Sequence, residues 1–230
     1  MDALTSVLEF RDVTFRPNAL LQLCGVTGVN LALGRGEIAL VSLEEGREES
    51  PLAVMAQGLE MPEHGCVSFN GEDWSQLTPS RISNLRGRIR RVYQHYGWIS
   101  NLDIMENICL AELYHSGRND SDVEDEARAL ARGFGVDPIP NGRPARGNSM
   151  VLRKLEWVRA FMGTPELILL ECPCRGASKA DGPGLARAMH EIAGKGAAVL
   201  WLEDDPRVID CPEIAAARRY RMDGETLMAV

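Results

Sequence analysis

Three short apolar runs constrain this chain more than any other feature: EIALV at 37–41, LILL at 167–170 and AAVLWL at 197–202. None alternates polar with apolar residues, so each is read as a strand buried on both faces. Strands of that kind belong to parallel sheets covered by helices on either side. Residues 167–170 and 197–202 are expected to be neighbouring central strands.

The segments between them have other signatures. Residues 7–14 alternate, with Leu8, Phe10 and Val13 apolar, and 29–33 reads as a second strand. Gly34-Arg35-Gly36 is a turn. Pro51 stands where a helix over 52–59 can begin. Asn70-Gly71 between 66–69 and 72–74 is a hairpin turn, and Thr78-Pro79 is an N-cap and first-turn pair for a helix reaching about Leu85. From Leu102 to about Phe161 the pattern is helical. It includes an amphipathic run over 124–134, a loop over 141–149 and a helix over 150–162. A helix over 185–193 and a closing hairpin (220–222 and 226–228, turning at Asp223-Gly224) complete an α/β core with a helical insertion.

Composition removes several functions. With 45% hydrophobic and 25% charged residues the chain is globular, and a net charge of −8 makes it a poor ligand for nucleic acid. Arg86, Arg88, Arg90 and Arg91 form the only dense basic stretch and are read as a solvated helix face. No apolar run is long enough to span a bilayer, and the first ten residues lack the order of a secretory signal. The cytosol is therefore the expected compartment, with all six cysteines reduced. Cys24, Cys66, Cys109 and Cys211 are expected as small buried residues. Cys172 and Cys174, in a C-P-C pair, cannot close a tetrahedral site, so no metal is expected. They also lack the C-x-x-C spacing of a redox pair.

Several stretches together resemble the nucleotide-binding subunit of ABC transporters over essentially the whole chain. They are LEFRDVTF, GEIALV, HGCVSFNGEDW with LTPSRISNLR, RVYQHYGWISNLDIMENI and PELILLECP. The TPSRISNLR and LDIMENI phrasing is closest to subunits of lipid-trafficking Mce-type permeases and of division-associated systems. The resemblance implies a P-loop NTPase-like ABC ATPase fold with an antiparallel β part and an inserted helical subdomain. It is read as one domain over 1–230, with an α/β core of about 1–90 and 163–230 and a helical subdomain of about 91–162.

The resemblance also marks where the family's chemistry has been replaced. A working phosphate loop reads G-x-x-x-x-G-K-S/T, with backbone N–H groups and a lysine around the phosphates. Here residues 42–50 read SLEEGREES. Gly46 is the remaining glycine, the lysine position falls on Glu48 or Glu49, and Ser50 follows. Residues 44–49 carry four glutamates against one arginine, a net −3. One carboxylate about 4 Å from a phosphate charge costs roughly 4 kcal/mol at an effective dielectric near 20. The adenine-stacking position is Pro17, which has no π face. The Walker B carboxylate aligns with Glu171, the catalytic glutamate with Cys172 and the switch histidine with Asp204. The signature aligns with Gly147-Asn148-Ser149-Met150-Val151 and the D-loop aspartate with Ser178. A thiol is a poor base for water. Gln94 keeps the Q-loop glutamine.

No catalytic residue is therefore expected, and no cofactor. ATP and Mg²⁺ enter only under the alternative of an atypical ATPase energising an ABC transporter. The main expectation is an ABC-type subunit, without ATP binding or hydrolysis, that serves a membrane permease as scaffold or regulator. It would lie peripherally on the cytoplasmic face, as a homodimer or beside a second ABC ATPase subunit. Gln94, Tyr96, Trp98 and Ile99 are the candidate permease contacts, because the family receives a coupling helix around its Q-loop. Aromatic side chains are favoured anchors there. Ile104 is read as core.

Overall fold

The structure is a computed structural model that describes residues 6–44, 49–95, 97–214 and 218–230. Its strands are β1 (Leu8–Phe15), β2 (Val26–Leu33), β3 (Ile38–Ser42), β4 (His64–Phe69), β5 (Glu72–Asp73), β6 (Ile89–Val92), β7 (Leu167–Glu171), β8 (Ala198–Glu203), β9 (Arg218–Asp223) and β10 (Thr226–Ala229). Its helices are α1 (Leu52–Ala56), α2 (Pro79–Arg86), α3 (Ile104–Ser116), α4 (Asp120–Gly133), α5 (Ser149–Phe161), α6 (Gly182–Gly194) and α7 (Pro206–Ile209). Strands β2-β1-β4-β5 form an antiparallel sheet, and β10-β9-β3-β8-β7-β6 form a second sheet that is parallel except for β10.

The three apolar runs are β3, β7 and β8, and β7 and β8 are paired inside the sheet. Each run feeds two cores by turns. Leu40, Ile168, Leu170, Val199 and Trp201 pack toward α3–α6. Ala39, Val41, Leu167, Leu169, Ala198, Leu200 and Leu202 pack toward the antiparallel sheet with α1 and α2. The absence of polar alternation is thus the signature of a sheet with no wet face.

The antiparallel part shows where alternation breaks. Leu8 and Phe10 face the core, but so do Val13 and Phe15, on the other parity. A bulge accounts for the shift: pairing to β2 slips between Phe10 and Val13, and Asp12 adopts φ of 51°. Asn70-Gly71 makes the expected turn between β4 and β5. Trp74 leaves the strand as a single 3₁₀ turn and stacks on Phe69 with ring centres 6.0 Å apart. The Thr78 side chain accepts from the Arg81 N–H, and Pro79 opens α2.

Two readings need correction. The four arginines are not a solvated helix face. Arg86 ends α2, Arg88 pairs with Glu166, and Arg90 and Arg91 are buried in β6. An edge strand admits them because each reaches a carboxylate on a different face: Glu112 of α3 for Arg90, Glu171 of β7 for Arg91. Burial of the isolated cysteines holds for Cys109 alone, since Cys24, Cys66 and Cys211 are half-buried. Ile104 is core, as read. Among the described residues no helix is long and apolar enough to cross a membrane.

Replacing Leu200 by Ala should cost about 2–5 kcal/mol, because β8 is enclosed on both faces and cannot collapse around the void. Urea unfolding measures it, and a loss below 1 kcal/mol would show that the central strand is not closely packed.

Candidate functional site

In parallel α/β sheets, ligand sites form where the strands end at their carboxyl edge. Here that edge gathers Ser42–Glu44, Glu49 and Ser50 after β3, Tyr93–His95 after β6, Glu171–Arg175 after β7 and Glu203–Asp205 after β8. Gly46 and Glu48 lie outside the described residues, as does Tyr96.

Glu171 is the last residue of β7 and is buried, with Arg91 beside it on β6. Arg91 Nε donates to Glu171 Oε2 at 2.7 Å and Nη2 to Oε1 at 2.9 Å. The same guanidinium donates to Gln57 Oε1 at 3.1 Å and lies 4.6 Å from the Tyr93 ring centre. The side chains are 5% and 4% exposed, so the pair is dry. Burial raises the Glu171 carboxyl above its ordinary range, opposed by Arg91 and by the Gln94 N–H, while Glu49 adds to the rise. The two-pronged contact uses both oxygens as acceptors, the geometry of a carboxylate held by a guanidinium.

Cys172 follows in the left-handed region, with φ of 41°, and is buried. Its thiol lies 3.5 Å from Asp204 Oδ1 and 3.7 Å from Arg175 Nη2, and Arg175 itself pairs with Asp204. Burial, then Glu203 and Asp204, push the thiol far above its usual range; Cys174 is pushed up to about 12, mainly by burial. Neither thiol is a thiolate at neutral pH. Glu203, also buried, accepts from Trp201 Nε1 at 3.1 Å and from the Asp204 and Asp205 N–H groups at 3.1 and 3.2 Å. Burial raises its carboxyl to about 7, partly offset by these donors. Cys172, Glu203 and Asp204 bring their ligand atoms within 4.8 Å of one another. Each is already engaged, so a cation would have to displace Arg175 and the backbone donors.

The described residues on either side of 45–48 are bonded to other parts of the chain. Glu44 Oε1 accepts from the Gly224 N–H at 3.0 Å. Glu49 exchanges backbone bonds with Gln22 and Cys24, and its carboxylate lies 3.3 Å from His95 Nε2. Ser50 is buried, with Oγ 3.4 Å from the Leu52 N–H. The cavity bounded by Cys24, Leu43, Glu44, Ser50, Gln94, Asp204 and Met222 holds about 20 Å³, about the space of one water. At the signature position, Asn148 Oδ1 accepts from the Met150 and Val151 N–H groups, so α5 caps its own N-terminus. Ser178 caps the turn before α6, and Pro17 is exposed.

The Q-loop segment is clamped to α5. Buried Arg153 donates to the carbonyls of Tyr93, Gln94 and Arg175 and to Glu156 Oε2. Glu156 Oε1 accepts from the Gly97 N–H, and Arg159 Nη1 donates to the Gly97 carbonyl. Gln94 faces the small cavity. Trp98 is half-buried against the core, with the Arg159 guanidinium 5.2 Å from its ring centre, while Ile99 is exposed. Arg91 and the exposed Leu110 and Tyr114 of α3 were not anticipated from sequence. An arginine inside the otherwise strand-like IRRV was the available signal for Arg91.

No protein-family model matches the chain. Among curated relatives, the octopine permease ATP-binding protein P of Rhizobium meliloti is 26% identical over 183 residues, covering 75% of this chain and 70% of that protein. A lipoprotein-releasing system ATP-binding protein, LolD 1 of Rhodopseudomonas palustris, is 29% identical, covering 72% of this chain and 74% of its own. The macrolide export ATP-binding/permease protein MacB of Burkholderia cenocepacia is 24% identical over 80% of this chain, which spans 27% of that longer protein. The dimeric post-hydrolysis ATP-binding cassette MJ0796, bound to ADP and Pi, superposes with a TM-score of 0.83 at 17% identity, covering 96% of each chain. The fold is the ABC cassette. In sequence the chain is similar to the ATP-binding proteins just named.

Two outcomes are expected. Arg91→Met should cost about 3–5 kcal/mol by stranding Glu171, and the double change Arg91→Met/Glu171→Leu should recover most of it. Urea unfolding of the three proteins measures this; additive losses would show that the pair is not coupled. The Glu203 carboxyl titrates higher folded than at its ordinary 4.5. The folded chain therefore holds the extra proton between about pH 4.5 and 7, and stability falls as pH rises through that window. Glu203→Gln should remove a loss on the order of 3 kcal/mol between pH 4.5 and 8.

Proposed function

We propose that this chain is an ABC-type subunit that neither binds nor hydrolyses ATP and serves a membrane permease as scaffold or regulator. It works from the cytoplasmic face, in lipid transport, as a homodimer or beside a second ABC ATPase subunit. The division into a core of about 1–90 and 163–230 and a helical subdomain of about 91–162 is part of the same reading.

The observation that carries the proposal is the Arg91–Glu171 pair. A carboxylate that helps hold Mg²⁺ must present a free oxygen, and both oxygens of Glu171 already accept from a guanidinium. Three further features point the same way. The neighbouring group is a protonated thiol rather than a base, the cavity beside Ser50 and Gln94 has room for about one water, and α5 caps itself where the signature would meet phosphate. The residues present thus fit magnesium triphosphate poorly. A permease context is supported by relatives whose own names join an ATP-binding protein to a permease or to lipoprotein release.

A second reading, an atypical ATPase, has one observation in its favour. Glu203 lies at the same strand edge with its carboxyl raised to about 7, a value suited to a general base. Against it, both Glu203 oxygens are engaged by inward-facing donors.

The two readings separate by titration and turnover. ATP with Mg²⁺ should bind more weakly than about 1 mM by calorimetry, and hydrolysis should not exceed background. Cys172→Glu should not restore it, because the phosphate-holding groups stay absent. Micromolar ATP affinity, or Mg²⁺-dependent turnover that vanishes in Glu203→Gln, would sink the non-hydrolytic reading and establish the second.

A further inference from the structure

Between β6 and the outer face of α3 lies an open cavity of about 490 Å³, a size at which a cleft encloses one small molecule. Its rim is apolar: Tyr114 is 76% exposed, Leu110 44% and Ile99 42%. Beneath the rim the lining carries charge, from Arg90, Arg91 and Arg159.

Two of these arginines are occupied. Arg90 bonds Glu112 at 2.8 Å and Arg91 bonds Glu171 at 2.7 Å, carboxylates as buried as themselves. His115 is held toward its neutral form by burial and then by Arg90. Arg159 differs. Its Nη1 donates to a neutral group, the Gly97 carbonyl, at 2.7 Å. Glu156 lies 3.8 Å from its Nη2, beyond hydrogen-bond reach, and bonds Arg153 at 2.8 Å. The Glu156 oxygen facing Arg159 already accepts from the Gly97 N–H at 3.0 Å.

The hydrogen bonds are incomplete at the same spot. Among the described residues Arg159 Nη2 has no hydrogen-bond partner, and neither has Trp98 Nε1. The guanidinium lies 5.2 Å from the Trp98 ring centre and 5.9 Å from that of Tyr93, so two rings fix its place. An ordered water would satisfy a donor but would leave the charge uncompensated, and a buried cation that shares its counter-charge is costly. Burial accordingly lowers the Arg159 pKa. The side chain is 13% exposed and is reached from the cavity.

We propose that this cavity is a binding site for a small carboxylate amphiphile, of which a straight-chain fatty acid is the simplest member. The carboxylate sits on the Arg159 guanidinium, and the chain lies along Ile99, Leu110 and Tyr114. The head is a monoanion because one cation is short of a partner. A phosphate dianion would call for a second, and Arg90 and Arg91 are taken while His115 is neutral. A planar guanidinium also matches the two oxygens of a carboxylate. A neutral apolar molecule would bury Arg159 deeper and leave its donor unpaired, so selection resides in the head group. The site stands whether or not the chain binds nucleotide or serves a permease.

The test titrates the full chain by calorimetry with decanoate, decanol and acetate, the first two below their aggregation limits. Decanoate should bind at least about tenfold more tightly than decanol, a difference near 1.4 kcal/mol, and acetate more weakly than either. Arg159→Gln should erase the preference for decanoate over decanol, Arg159→Lys should keep part of it, and Tyr114→Ser should weaken both ten-carbon ligands. In the wild-type chain the Trp98 indole N–H resonance, assigned by its loss in Trp98→Phe, should shift with decanoate and not with decanol. That readout is independent of how well the Arg159 variants fold. Equal affinities for decanoate and decanol would reduce the cavity to an apolar surface and overturn the site. A preference that survives Arg159→Gln, or decanoate binding that Tyr114→Ser leaves unchanged, would place the ligand elsewhere and overturn it too. Acetate as tight as decanoate would overturn the amphiphile, and no binding of decanoate would overturn the proposal entirely.

Discussion

The central strands β3, β8, β7 and β6 are dry on both faces, so charges placed on them are stabilised only by one another or by fixed protein dipoles. This constraint organises the centre of the molecule. Arg91 on β6 lies opposite Leu169 in the parallel register and reaches Glu171, two residues further along β7, so that the two neutralise each other. Arg175 and Asp204 do the same one strand over, and Glu203 turns inward to an indole and two backbone N–H groups. Removing one member strands its partner, and replacing both by apolar groups restores a dry contact. For buried ion pairs these outcomes differ by several kcal/mol.

The same logic fixes the segment after β6. In a cassette that responds to nucleotide, that segment must have two arrangements of similar free energy. Here Arg153 bonds the carbonyls of residues 93 and 94 and of residue 175, linking the loops after β6 and β7 through one buried guanidinium. Asn107 bonds both the N–H and the carbonyl of Ile99 and reaches the carbonyls of Leu102 and Asp103. Moving the segment would break several buried hydrogen bonds to charged groups at once, each worth about 1.5–3 kcal/mol. On the proposed reading the segment presents one surface, as a scaffold would.

Much of the fold was legible because its signals are local. Apolar runs without alternation, an Asn-Gly turn and a Thr-Pro cap each report on a few adjacent residues. The bulge in β1 was invisible because periodicity cannot announce its own phase shift. The burial of Arg90 and Arg91 was invisible for a different reason: their partners are 22 and 80 residues away, and charge alone reads as solvated. Along α3 the sequence offers apolar side chains on several faces, so pattern could not separate core Ile108 and Cys109 from exposed Leu110 and Tyr114. At the site, departures from the family's motifs could be read position by position, but not the partners that the residues standing there take.

The pairing with Arg91 accounts for how the chain tolerates a buried carboxylate at residue 171. Without a cation beside it, Glu171 would be an unpaired buried charge, among the costliest single features a core can carry. Two routes relieve it: replacing the glutamate, or supplying a permanent cation. Arg91 is the second route, and it differs from a bound metal in one respect that matters. A metal comes and goes with its ligand, whereas a guanidinium on β6 is present whenever the chain is folded. Arg91 also engages Gln57 beside α1 and the Tyr93 ring. The pair therefore holds in place, without any ligand, the surroundings of the groove where Gln57, Arg91 and Tyr93 meet Ile99 and Tyr114.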